Sequence, residues 1–230
     1  HMLSSRSIVV DKVPIICNQE NFILKGSLHK ILQTLPNSHV IIKPAVKGDM
    51  NTGRPKGGVF IAVPDNIKSL VNDVSPDHWR LQALKSSFNS STTLLINSYS
   101  QTDNKNNNLE ELLEIIDIVK NLKETYSCRA VVWAGDLNAD FSRNTAHVQL
   151  VRESMQDINV SSTWEKYPVD FTCTSEVGGV TRTSVLYHIC FSEGLATGLS
   201  DAGVIHMVKK RSDHEPVYAV FDTINVKEDA

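Results

Sequence analysis

The chain has 230 residues, 41% hydrophobic and 21% charged, enough apolar mass for one folded core and too much for wholesale disorder. A net charge of −3 excludes a polycation, so any contact with nucleic acid has to rest on a local basic patch. Apolar runs reach about seven residues, far short of the roughly 20 that span a bilayer, and no secretory signal precedes them.

His1-Met2 reads as a cloning remnant, which leaves 3–230 as a single domain. In chain order, VPIIC (13–17) is the first expected strand and SLHKILQTL (27–35) a helix. GGVFIAV (57–63), WRLQALKSS (79–87) and TTLLINSY (92–99) are the next strands. After the polar loop DNKNNN (103–108), Asn108 stands as an N-cap with Glu111 three residues on, as in a capping box. The helix that follows, 109–126, places Leu109, Leu112, Leu113, Ile116, Val119 and Leu122 on one face. RAVVWAG (129–135) is a strand, Thr145 to Met155 a helix, and DFTCTSEVGGVTRT (170–183) a hairpin with Gly178-Gly179 at its tip. TSVLYHICFS (183–192) and PVYAVF (216–221) close the series as strands. Apolar strands outnumbering helices predict an α/β domain in which two sheets pack together with helices outside.

Four cysteines, Cys17, Cys128, Cys173 and Cys190, are scattered without a C-x-x-C pair. That spacing argues against a structural zinc and for reduced thiols, in the cytosol or nucleus.

The informative residues stand at the strand ends. Asn18-Gln19-Glu20 follow VPIIC, Asn97 and Tyr99 end TTLLINSY, Asp136 and Asn138 follow RAVVWAG, and Arg211-Ser212-Asp213-His214 precede PVYAVF. Singly, each is an ordinary turn or strand residue. Together, four strands offer carboxylate, amide, phenol and imidazole at their termini, where a rigid sheet meets variable loops. Carboxylates without thiolate partners are hard oxygen ligands suited to Mg²⁺ or Mn²⁺. Imidazole and amides can hold a phosphate while a carboxylate orients or deprotonates water, the parts needed for phosphodiester hydrolysis.

With those residues in order, the chain resembles the endonuclease/exonuclease/phosphatase superfamily. Within it, the chain is similar to the apurinic-endonuclease-like domain of LINE-type (non-LTR) retrotransposons. The resemblance is carried by IICNQE (15–20), RPKGGVFIAVP (54–64), LLINSYS (94–100), GDLN (135–138), TSVLYHICFSE (183–193) and RSDHEPV (211–217). It implies a four-layered α/β sandwich, two packed mixed β-sheets flanked by helices, with the site at one end. By the same resemblance Glu20 binds the metal, Mg²⁺ or Mn²⁺, with Asp213 as a second carboxylate. Tyr99 faces the scissile phosphate, Asp136 orients or activates the water, Asn138 holds phosphate or water, and His214 binds the phosphate and stabilises its transition state. The 170–183 hairpin would contribute to target choice, with Lys105, Arg143 and Arg182 as candidate phosphate contacts on the DNA.

Two departures stand out. The family opens with a strand ending in an asparagine, further ahead of the Q-E pair than the 18 residues available here, so the first strand is expected to be missing. Its absence would expose a neighbouring edge and invite a strand-exchanged dimer. Secondly, the S-x-L-D-H segment carries Tyr187 where an acid would partner the histidine. A phenol supplies no charge, so His214 should be imidazolium less often and cleavage weaker.

The leading expectation is therefore a nicking endonuclease acting on double-stranded DNA, part of a polyprotein with a reverse transcriptase, made in the cytoplasm and working in the nucleus. A degenerate or domesticated copy that only binds nucleic acid or protein is the alternative. A phosphatase or deadenylase of the same fold is a third reading.

Overall fold

A computed structural model describes residues 14–46, 55–88, 91–101, 108–206 and 212–222. Thirteen strands run in chain order: β1 (Ile16–Asn18), β2 (Ser38–Lys43), β3 (Val59–Pro64), β4 (Val71–Asp73), β5 (Leu81–Phe88), β6 (Ser91–Tyr99), β7 (Ala130–Asp136), β8 (Val160–Ser162), β9 (Cys173–Val177), β10 (Val180–Ser184), β11 (Tyr187–Ser192), β12 (Leu199–Val204) and β13 (Val217–Phe221). The α-helices are α1 (His29–Thr34), α2 (Asn108–Thr125) and α3 (Ala146–Asp157).

A six-stranded mixed sheet, ordered β4-β5-β6-β7-β11-β8, forms the centre, with β6 and β7 its parallel pair. Period-two alternation sorts its side chains. Leu94, Ile96, Val131, Trp133 and Cys190 join the cluster formed with α2 and α3, including Leu112, Ile115, Val119, Val148 and Val151. From the opposite face, Leu84 and Leu95 meet Ile61, Val63 and Ile41 of the antiparallel sheet β1-β3-β2. That second sheet buries Phe60 and Ala62 on its outer side against Ile31 of α1. The β12-β13 hairpin packs on the same face of the central sheet, joining Ala202, Ala219 and Phe221 to Ala130, Val132 and Phe191. The layers therefore run helix, sheet, sheet, helix, the α/β sandwich expected from the sequence.

Several elements depart from that expectation. Strands β2, β4, β8 and β12 lie outside the expected set: three residues of β4 or β8 carry no readable alternation, β2 is half-buried along most of its length, and β12 departs from strict alternation. The expected strand 183–192 breaks at Val185-Leu186. There the Thr172 hydroxyl accepts from the amides of both Leu186 and Tyr187, and Leu186 O accepts from Leu137 N. Helix 27–35 shortens to a 3₁₀ turn and the six residues of α1. On α2, Leu109 and Leu113 lie 36% and 45% exposed, so the buried stripe runs through Leu112, Ile115, Ile116 and Val119. Thr145 caps α3 as its position suggests, its hydroxyl accepting from Val148 N. The expected loss of the first strand falls on 1–13, outside the described residues. None of the four cysteines forms a disulfide, and no described helix is long and apolar enough to cross a membrane.

Candidate active site

Three neighbouring strand ends set the base of the site. In register, Tyr99 of β6 pairs with Asp136 of β7, and Asp136 pairs with Tyr187 of β11. Cross-strand partners share a face, so phenol, carboxylate and phenol stand in a row toward the second layer. That layer supplies Glu20, just beyond β1, and Asp213-His214, just before β13. Glu20, Tyr99, Tyr187, Asp213 and His214 line one cleft of about 560 Å³, with Gln19, Phe22, Lys56, Arg80 and Gln101.

The loop carrying Glu20 is held in an unusual backbone. Glu20 and Phe22 have φ of 49° and 54°, a left-handed region that non-glycine residues rarely enter without support. Support comes from Gly57-Gly58, whose carbonyls accept from Phe22 N and Asn21 N. A Cβ on Gly58 would stand 2.4 Å from Asn21 Oδ1, so the glycine is what lets the loop approach. Asn97, one of the polar residues at a strand end, is fully buried and joins the two sheets. Its Nδ2 donates to Asn18 O and Phe60 O at 3.1 and 3.0 Å, and its Oδ1 accepts from Gln19 Nε2.

The 135–140 segment is both turn and site. Gly135 permits the close approach of β6: a Cβ there would meet Ser98 O at 2.0 Å. Asp136 Oδ1 accepts from Asn138 N at 3.1 Å, and Asn138 adopts φ 48° and donates its Nδ2 to Ser100 O at 2.7 Å. Asn138 thus braces the corner and does not line the cleft. Two buried imidazoles hold the loop from the helical side: His147 Nε2 lies 2.8 Å from Leu137 O, and His188 Nε2 2.8 Å from Ala139 O. Burial lowers the His188 pKa to about 4, which leaves it a neutral structural donor.

Burial dominates the electrostatics. Asp136 is 2% exposed, and its carboxyl is pushed well above the ordinary carboxylate range, with Glu20 and Asp213 adding repulsion. His214 is lowered, chiefly by burial, against the opposing pull of Asp213 and Glu20. Its Nδ1 lies 3.9 Å from Asp136 Oδ2, too far for a hydrogen bond and with both groups driven toward their neutral forms. Tyr187 meets His214 ring to ring, centroids 4.7 Å apart and planes tilted by 37°. The Tyr99 hydroxyl is raised by burial and by a hydrogen bond with Glu20, so it stays protonated.

Sequence reading missed Arg80. The residue is 4% exposed; its guanidinium sits 4.0 Å from the Trp79 ring centroid and 5.0 Å from that of Tyr99, and pairs with Glu111 of α2 at 2.6 Å. The available signal is a charged residue set between Trp79 and Leu81, just ahead of β5. The expected DNA contacts scatter. Arg143 is exposed and lies 3.5 Å from Asp140, Arg182 is exposed on β10, and Lys105 lies outside the described residues. Neither arginine lines the cleft.

The donor set fits a hard divalent cation: the carboxylates of Glu20 and Asp213 share the cleft, and Asn18 Oδ1 is buried beside them in sequence without a hydrogen-bond partner.

Solved structures show the same fold. An AP endonuclease, LMAP, from Leishmania major superposes with TM-score 0.69 at 18% identity, covering 90% of this chain and 78% of that one. The endonuclease domain of TRAS1, a telomere-specific non-LTR retrotransposon, gives 0.60 at 11% identity, covering 82% and 81%. The 3′ phosphatase NExo from Neisseria, bound to a product DNA hairpin, gives 0.67 at 18% identity, covering 90% and 88%. No protein-family profile and no curated protein matches the sequence.

Proposed function

We propose that the protein is a Mg²⁺- or Mn²⁺-dependent endonuclease that nicks double-stranded DNA and leaves a 3′-hydroxyl for primed reverse transcription. The observation that carries this reading is the gathering of Glu20, Tyr99, Tyr187, Asp213 and His214 in one cleft, with Asp136 buried at its base in register between the two tyrosines and 3.9 Å from His214. The fold shared with a retrotransposon endonuclease domain and with a 3′ phosphatase bound to DNA supports it.

Glu20 and Asp213 would hold the cation, which supplies Lewis-acid relief of charge on the phosphate and the leaving oxygen. Asp136, once ionised, would take a proton from the attacking water, burial having raised the proton affinity that this step needs. The new P–O bond forms as the P–O3′ bond breaks, and the departing O3′ takes a proton from solvent to become the 3′-hydroxyl, leaving a 5′-phosphate. His214, a neutral imidazole, donates to a non-bridging oxygen, and Asn138 keeps the Asp136 turn in place. Tyr99, protonated and tied to Glu20, orients that carboxylate and faces the phosphate. The partners on this reading are target DNA and the reverse transcriptase portion of the same polyprotein, in the nucleus after cytoplasmic synthesis. A strand-exchanged dimer is part of the proposal: β1 and β13 each pair on one side only among the described strands.

A second reading has its own observation. Tyr187 offers His214 a ring face and no charge, the arrangement expected of a weakened or binding-only copy. Nicking of supercoiled plasmid with Mg²⁺, compared with EDTA and with His214→Ala, decides between them. Mg²⁺-dependent nicking lost in His214→Ala is the expected result, and DNA binding without control-sensitive nicking favours the second reading. Hydrolysis of small phosphomonoesters in preference to DNA would redirect the proposal to a phosphatase.

A further inference from the structure

One cysteine stands against the same cleft and has no part in phosphodiester hydrolysis. Cys173 opens β9, and its backbone bridges His214 in antiparallel register. Thr174 N donates to Asp213 O and Glu215 N donates to Thr172 O, both at 2.8 Å. A short ladder therefore fixes 172–174 against 213–215. On that frame, ligating atoms of Cys173, Asp213 and His214 all lie within 4.8 Å of one another. Cys173 is buried, Asp213 exposed and His214 between them. His214 Nδ1 is buried without a hydrogen-bond partner, so the imidazole is not locked by a neighbour.

We propose that Cys173, Asp213 and His214 form a site for a thiophilic divalent cation, Zn²⁺ by class, whose occupation silences the cleft. Sulfur, imidazole and one carboxylate are the donors of an open tetrahedral zinc site with water in the fourth position. Atoms bound to zinc at about 2.0–2.3 Å stand roughly 3.5 Å apart, so the three groups need to close by only about 1 Å. The exposed Asp213 carboxylate can make that movement by changing rotamer. Mg²⁺ is a poor competitor, because it prefers six hard oxygen ligands and gains little from a thiolate or imidazole. The consequence rests on the proposed nuclease reading: a bound Zn²⁺ takes His214 from the phosphate and Asp213 from the Mg²⁺ site, so Zn²⁺ inhibits where Mg²⁺ activates. Cys173 is the residue that adds this sensitivity to an otherwise oxygen-rich cleft.

The test is direct metal binding by the full chain, with nicking as a separate arm. Zn²⁺ is measured by competition with a chromophoric chelator, and Cd²⁺ by its thiolate charge-transfer absorption. Wild-type protein should bind one such ion per cleft with the Cd²⁺–thiolate band. Cys173→Ser should lose the band and weaken Zn²⁺ binding by about 100-fold or more, since losing a ligand costs at least as much as losing its outer-shell support. His214→Ala should weaken it similarly. Circular dichroism and melting of each variant separate ligand loss from misfolding. In the nicking arm, the ratio of rates with and without micromolar Zn²⁺ should fall far below one for wild type and recover toward one in Cys173→Ser. Unchanged Zn²⁺ affinity in a folded Cys173→Ser, or Cd²⁺ binding without the band, overturns the site. Failure of wild type to nick in Mg²⁺ overturns the nuclease reading alone, because the binding arm still reads the cation.

Discussion

Strands β7 and β13 both deliver a site residue, from very different surroundings. β7 lies inside the six-stranded sheet between β6 and β11; Val131 and Trp133 are fully buried, and the loop after Asp136 is braced by His147 and His188. β13 is paired only with β12 among the described strands, and every one of its residues is half-buried. Asp136 is thus placed by the core, whereas His214 is placed by a hairpin and the short ladder to 172–174. One side of the site is set by packing and the other by a few backbone hydrogen bonds, the side where a ligand can most readily shift the structure.

The largest expected effect separates chemistry from scaffold. His214→Ala should reduce Mg²⁺-dependent plasmid nicking by about a thousand-fold, within the span typical of a lost acid–base or phosphate-binding group. Its melting temperature should stay near that of wild type because His214 is not core; a nicking rate equal to wild type removes it from the reaction. Packing comes next. Val131→Ala on β7 should cost about 2 kcal/mol by chemical denaturation, and Val220→Ala on β13 under about 1 kcal/mol. Equal costs would mean that β13 is as firmly held as β7.

Asp136 provides a pH test with a definite sign. Its carboxyl is raised in the fold, so it is neutral in both states below the unfolded pKa and carries no penalty there. As pH rises past about 4, the unfolded chain ionises first and the fold loses stability until the folded carboxyl ionises as well. Asp136→Asn should therefore melt higher than wild type near pH 7, with the gap closing below about pH 4. A variant less stable than wild type at neutral pH would show that the ionised carboxylate is held favourably. The smallest effect concerns the hairpin. Val177 and Val180, 52% and 59% exposed, flank the Gly178-Gly179 tip. Changing both to Ser should alter stability by no more than about 0.5 kcal/mol. It should lower DNA affinity in a filter or anisotropy assay if the hairpin enters a groove, and unchanged affinity removes it from the DNA interface.

Much of this comparison is legible in the order of residues. The run VVWAG followed by Asp136 and Asn138 announces a buried strand ending in a polar turn, because its apolar residues satisfy both faces of a central strand. The polar residues closing the other strands point to one shared end. The helices α2 and α3 are legible from their spacing, and α3 also from its Thr145 cap; on α2, by contrast, Asn108 lies within the helix and the Glu111 side chain pairs with Arg80 instead of closing a capping box. Short edge strands are not: β4 and β8 have three residues each, too few for a period to register. The buried stripe on α2 is narrower than its spacing predicts, since Leu109 and Leu113 face solvent where no layer covers them.

By itself, then, the sequence determined the class of fold, the position of its main strands and which polar residues stand at their ends, because these follow from local periodicity and turn chemistry. Only the tertiary structure decided what those residues become. Register placed Tyr99, Asp136 and Tyr187 side by side. Burial pushed Asp136 up and His214 down. Contact between segments remote in sequence brought Arg80 to Tyr99, and Cys173 to Asp213 and His214. No spacing rule could have shown the last of these, since a thiol and an imidazole about forty positions apart become metal-ligand neighbours only through the pairing of two chain segments.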